Sequence, residues 1–169
     1  MSRHLTRYAA RAATIIALAS SAAFSTAFGP PHIAVRKVTA SDNAPAGTVL
    51  VVEGKHHNET GELRLVGRAE GIVDGKRVSQ PLRVATQATG RFTVSKQWQD
   101  GSPWVLVLTA ELGPDGAHAV AEALVRVDVR GTIGSISYPV PGWIERSNTP
   151  RRTPTSAIDG MLAQMVVRR

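Results

Sequence analysis

The chain reads as an all-β protein, a β-sandwich of immunoglobulin-like or prealbumin-like type with about seven strands and a short C-terminal helix. Three observations predict it. Short runs rich in Val, Leu, Ile and Thr either alternate with polar residues or are apolar throughout. Turn signals bearing Gly, Asp or Pro separate them about every ten residues. Only the last stretch carries helical spacing. No cysteine occurs in the 169 residues, so the fold must be held by its hydrophobic core alone.

The first segment, 1–27, has the organisation of a secretory signal peptide. Arg3, Arg7 and Arg11 form a positive n-region, and Ala12 to Phe24 is an apolar run shorter than the roughly 20 residues a spanning helix needs. Ser25-Thr26-Ala27 supplies small residues at an A-x-A-like site, which predicts cleavage after Ala27 and a periplasmic or secreted protein. A mitochondrial transit peptide and an uncleaved anchor are the competing readings. The first acidic residue is Asp42, but Ala12 to Ala19 is apolar almost all round and lacks the amphipathicity of a transit peptide. Subtracting the three leader arginines from the formal +7 leaves about +4. That surplus falls largely on Arg146, Arg151, Arg152, Arg168 and Arg169, which predicts a solvated tail rather than a nucleic-acid surface.

The sandwich is expected over 28–143. His32 to Val38 predicts an edge strand, and Thr48 to Glu53 a strand buried along a core. Lys55-His56-His57-Asn58-Glu59-Thr60 reads as an exposed loop whose Asn58-Glu59-Thr60 fits a glycosylation sequon. Leu63 and Leu65 alternate with Arg64 and Val66. Asp74-Gly75 between Ile72-Val73 and Val78 predicts a hairpin with a tight primed turn, since Gly accepts positive φ. Pro81, lacking an N–H, belongs at an edge, and Leu82 and Val84 continue with period two. Ala88-Thr89-Gly90 is a turn, after which Phe92, Val94 and Trp98 share one face while Arg91, Thr93 and Ser95 share the other. Trp104 to Leu108 predicts a central strand, Gly113-Pro114-Asp115-Gly116 a turn, Val125 to Val129 a strand with one wet face, and Ser135 to Val140 a last strand. Residues 144–155 read as a basic, proline-containing linker. Ile158, Met161, Leu162 and Met165 then fall at i, i+3, i+4 and i+7 in a helix over 156–169, with Thr155 or Ser156 as N-cap.

The block from Ala69 to Ala110, AEGIVDGKRVSQPLRV followed by TGRFTVSKQWQDGSPWVLVLTA, resembles uncharacterised bacterial exported β-sandwich proteins. Its pattern is similar to YtkA-like, FixH-like and carboxypeptidase-regulatory-like domains. The resemblance covers about a quarter of the chain and implies a non-catalytic domain, with no set of functional residues to transfer. The Cys–Trp–Cys core of a true immunoglobulin domain is missing.

Chemistry-bearing constellations are sparse. No G-x-S-x-G elbow or phosphate-cradling glycine loop occurs, and Asp74, Asp100 and Asp115 all fall in turns, where their hydrogen bonding already explains them. No catalytic residue is assigned and no enzyme is expected. The candidate metal ligands are His56 and His57, with copper as the metal suited to imidazole in an exported sandwich, and with His32, His118, Met161 and Met165 as possible helpers. Adjacent residues on a strand point to opposite faces, so His56 and His57 converge only from a loop. The expectation is therefore an exported binding or accessory domain with an envelope or other extracytoplasmic protein partner. Periplasmic copper handling is the alternative.

Overall fold

The computed structural model describes residues 31–56, 63–112, 119–139 and 152–167. The expectations placed on the leader, on the loop from His57 to Glu62, on the Gly113–Gly116 turn and on most of the basic linker lie outside these residues.

The described chain forms strands β1 (His32–Lys37), β2 (Thr48–Lys55), β3 (Leu63–Val73), β4 (Lys76–Pro81), β5 (Val84–Ala88), β6 (Arg91–Ser95), β7 (Trp104–Leu112), β8 (Ala119–Val127) and β9 (Ile133–Ser137), then helix α1 (Thr155–Val167). They make two antiparallel sheets, one ordered β1-β2-β6-β5 and the other β4-β3-β7-β8-β9. Lettered A to G with β4 as C′, the first eight strands follow the ABED and C′CFG arrangement of immunoglobulin-type sandwiches.

The inner faces supply the core. Leu50, Val52, Phe92 and Val94 of the first sheet pack with Leu65, Trp104, Leu106, Leu108 and Val125 of the second. Trp104 lies over Gly71, where a Cβ would sit 2.4 Å from the indole, so the pairing Gly71↔Trp104 leaves room for nothing larger than glycine. The β3–β4 hairpin turns as expected, with Asp74 and Gly75 at φ 49° and 75°, both in the left-handed region a primed turn needs.

Nine described strands replace the seven or so expected, and Val84–Ala88, pairing with β6, is one of them. Four boundaries also move. β8 begins at Ala119, since β7 pairs with it all the way from Trp104↔Val127 to Leu112↔Ala119. It stops at Val127 because the Asp128 carboxylate accepts hydrogen bonds from the Arg130 and Thr132 amides (2.9 and 2.8 Å) and closes a turn. The last strand consequently starts at Ile133 rather than Ser135. Thr155 lies inside the helix instead of in the linker.

Parts of both outer faces are covered, and the cover on the second sheet helps bury β7 along most of its length. On the second sheet, Ile158 and Leu162 of α1 are fully buried against Val105, Val107 and Leu124. On the first sheet, Asp42 accepts hydrogen bonds from Arg36 of β1 and from Arg91 of β6. Strand β2 runs between those two, so the carboxylate stands over it. Val51 and Thr93 are buried there, on the face opposite Phe92 and Val94.

Candidate functional site

The two flanks of the sandwich differ. On one, β1 packs against β8 and β9, and Tyr138 just beyond β9 reaches across. Its hydroxyl accepts a hydrogen bond from the Val35 amide (2.9 Å) and donates to the Val35 carbonyl (3.2 Å), so the outward backbone groups of β1 at this point are occupied. At Val35 this edge therefore offers neither donor nor acceptor to another chain.

On the opposite flank the chain passes from one sheet to the other through Leu82 and Arg83. Gln97 fastens the crossing, accepting from the Arg83 amide (2.8 Å) and donating to the Arg83 carbonyl (2.9 Å), while the Leu82 amide bonds to the Gly67 carbonyl (2.9 Å). β4 flanks β3 only from Arg68 to Val73, and it carries Lys76, Arg77 and Pro81, residue types that discourage edge pairing. Past the crossing, β5 pairs with β6 alone among the described strands, with a shift of register between Thr86 and Ala88. Its residues Ala85, Thr86, Gln87 and Ala88 are exposed, and Val84–Ala88 contains no charge and no proline.

Between β5 and the first half of β3 lies a cavity of about 330 Å³. Leu63, Leu65, Val84 and Phe92 line its apolar part, with Thr86 and Thr89 toward the rim. Thr86 is paired with Phe92 across the β5–β6 register, so the two share the inward face. Arg64 also lines the cavity, its guanidinium held to Glu111 at 2.7 Å.

Buried carboxylates cluster elsewhere, on the outer face of the five-stranded sheet, and each is satisfied. Glu111 takes Arg64 and Arg152. Glu122 takes the Thr109 hydroxyl (3.2 Å) and the Thr153 amide (2.6 Å). Glu70 takes Arg68 and Arg77 (2.7 Å each) and Ser79 (3.0 Å), and Arg77 continues to Asp159 of α1. Burial pushes the Glu111 carboxyl up, but hydrogen bonds and charge from Arg64 and Arg152 outweigh it and hold the group below its ordinary value. Asp42 is likewise held well below the usual carboxylate range, first by Arg36 and then by the Thr39 amide. Carboxylates this well matched to cations and N–H groups fasten structure. They are not poised to move protons at neutral pH.

The expected metal residues are dispersed. His56 follows β2 as an isolated bridging residue, and His57 and His118 lie outside the described residues. His32 stands opposite Lys55, so it shares a face with Lys55, while the next residue, His56, projects to the other side. Met161 and Met165 fill the gap between α1 and the other sheet, beside Val105, Val107 and Leu124. Among the described residues, no group of three or more His, Cys, Asp or Glu side chains is placed to hold a metal ion.

Sequence reading missed the β5 flank. Its one signal was the uncharged run Val84-Ala85-Thr86-Gln87-Ala88-Thr89-Gly90 between Arg83 and Arg91. No family model, curated protein or solved structure matches this chain.

Proposed function

We propose that this is an exported, non-catalytic binding domain of the cell envelope or secreted space. It takes an extended segment of an extracytoplasmic protein as an added strand beside β5. The observation that carries this reading is the outer edge of β5, which pairs with no second strand among the described residues and lacks the charge and proline of β4 and the tyrosine cap of β1. The secretory pattern of residues 1–27 supports the compartment, and the resemblance of Ala69–Ala110 to exported accessory sandwiches supports the non-catalytic role.

A displayed library of ten-residue extended peptides, selected on residues 28–169, tests it. Successive N–H groups along a strand point to opposite sides, so of Ala85→Pro and Thr86→Pro one removes an N–H from the free edge and the other breaks the β5–β6 ladder. The variant that keeps the parental melting temperature is the edge variant. Selected peptides are expected to bind the parent and lose tenfold or more in affinity to the edge variant. Recovery of no binders, or binders indifferent to that variant, removes the reading.

A further inference from the structure

We infer that the C-terminal segment 152–167 is an acid-released latch: α1 is held on the five-stranded sheet through ionised carboxylates, and on their protonation it leaves the sheet and melts while the sandwich stays folded. Strand addition at β5 concerns the other sheet, so the two readings stand or fall separately.

The apolar grip of α1 is small. Of its residues, Ile158 and Leu162 are buried, against Val105, Val107 and Leu124, with Met161, Met165 and Ile72 partly covered. The core between the sheets is a separate cluster to which α1 contributes no side chain. The helix also has little stability of its own. Its 13 residues are near the length at which an isolated helix is marginal, and Gly160 sits in its interior. Its first turn carries no acidic residue and its last turn no basic one, so charge does not support its ends. Such a helix is formed because it is docked, and release melts it.

The polar grip runs through carboxylates. Glu111 of β7 accepts hydrogen bonds from Arg152 on the segment and from Arg64 of β3. Glu122 of β8 accepts from the Thr153 amide (2.6 Å) and from the Thr109 hydroxyl of β7 (3.2 Å). Asp159 accepts from Arg77 of β4, whose guanidinium also reaches Glu70 of β3, beside Arg68 and Ser79. A further link, from Arg126 to Gln164 (3.2 Å), joins groups whose charge does not change in acid. Protonation turns a charged acceptor into a neutral one and gives up the ion pair.

Glu111 sets the direction. Burial alone would push its carboxyl up, but Arg64 and Arg152 outweigh burial and hold it below its ordinary value. Undocking takes Arg152 away, so the carboxyl is more acidic docked than released. Docking is therefore fully supported above the ordinary carboxylate pKa of about 4.3 and is weakened as pH falls through the lower docked value. Among the described residues no histidine faces α1, since His32 on β1 and His56 after β2 belong to the other sheet. Release accordingly falls below about pH 5 and not near the histidine value of about 6.5. It uncovers Ile72, Val105, Val107 and Leu124 as an apolar stripe on a folded sheet.

Amide NMR signals of residues 28–169 are followed from about pH 7 to about pH 3. Signals of Ala157 to Val167 are expected to move to unfolded positions with a midpoint below about pH 5, while those of β2, β6 and β7 keep their folded positions. Arg152→Gln takes a half-exposed cation from Glu111 without altering the sheet. It is expected to raise the ratio of released to docked helix about tenfold at pH 5, moving the midpoint to higher pH and making the transition shallower. Asp42→Asn, on the other sheet, is expected to leave the α1 midpoint in place. Loss of α1 and β7 signals together, an α1 that stays docked at pH 3, or a midpoint near pH 6.5 overturns the latch. A midpoint unchanged by Arg152→Gln, or one moved by Asp42→Asn, overturns it as well.

Discussion

The two flanks of this sandwich are built from the same strand types and end differently. On the β1/β9 flank, one hydroxyl from Tyr138 takes both the N–H and the C=O of Val35 and ties the sheets together. On the β5/β3 flank, the Leu82–Arg83 crossing and the Gln80 side-chain amide on the Gln97 carbonyl tie the sheets, and beyond them β5 meets no second strand among the described residues and borders a cavity. A free edge costs little stability, because water satisfies exposed backbone groups, but it leaves a template for another chain. The difference teaches that edge character here depends on what reaches the edge from elsewhere in the fold, more than on the strand's own residues.

The largest way to disturb that contrast is at the floor of the open flank. Phe92→Ala is expected to destabilise the domain by about 3–5 kcal/mol, since Phe92 is buried in the shared core and the cavity beside it would enlarge. Chemical denaturation measures it. A loss below about 1 kcal/mol would mean that the open flank collapses to fill the gap.

Glu111→Gln is expected to cost about 1–2 kcal/mol, a moderate figure because Arg64 and Arg152 remain partly in water. The same group gives a pH signature. Its native pKa, like those of Asp42 and Asp128, is depressed. The stability these groups contribute is therefore complete above the ordinary carboxylate pKa of about 4 and is lost as pH falls through their lower native values. Urea midpoints should drop progressively below about pH 5, and Glu111→Gln should flatten part of that acid limb. An acid limb identical to the parent's would show that Glu111 contributes nothing to it.

Tyr138→Phe should cost about 1 kcal/mol by removing the bonds to Val35, and should turn the closed edge into an open one. Amide exchange at Val35 is the readout, with faster exchange expected and β5 amides unchanged. The smallest effect is expected from Gln87→Lys, which places a charge on the exposed side of β5. Stability should stay within about 0.5 kcal/mol of the parent, while affinity for strand-adding peptides falls. Unchanged peptide affinity would place the docking edge elsewhere.

Much of the framework was legible in local pattern. The Asp74-Gly75 hairpin follows from two residues that accept positive φ, and the edge position of Pro81 from its missing N–H. The helix showed itself through Ile158 and Leu162 at i and i+4. Less legible were Glu70, Glu111 and Glu122. Each reads as a solvent-facing residue on an alternating strand, yet each is buried because α1 and the segment before it lie over that face. The candidate site was less legible still, since Val84 to Ala88 has too little hydrophobicity to announce a strand.

By itself the sequence determined most of the strand-forming segments, the turns between them, the final helix and a core free of disulfides. Those features depend on the periodicity and backbone preferences of neighbouring residues, which act over a few positions. Only the tertiary structure decided which edges are capped, which outer faces are covered and where the sheets part to leave a cavity. Each of those depends on pairs distant along the chain, as Val35 and Tyr138 are at 103 positions, and no local pattern carries information over that span.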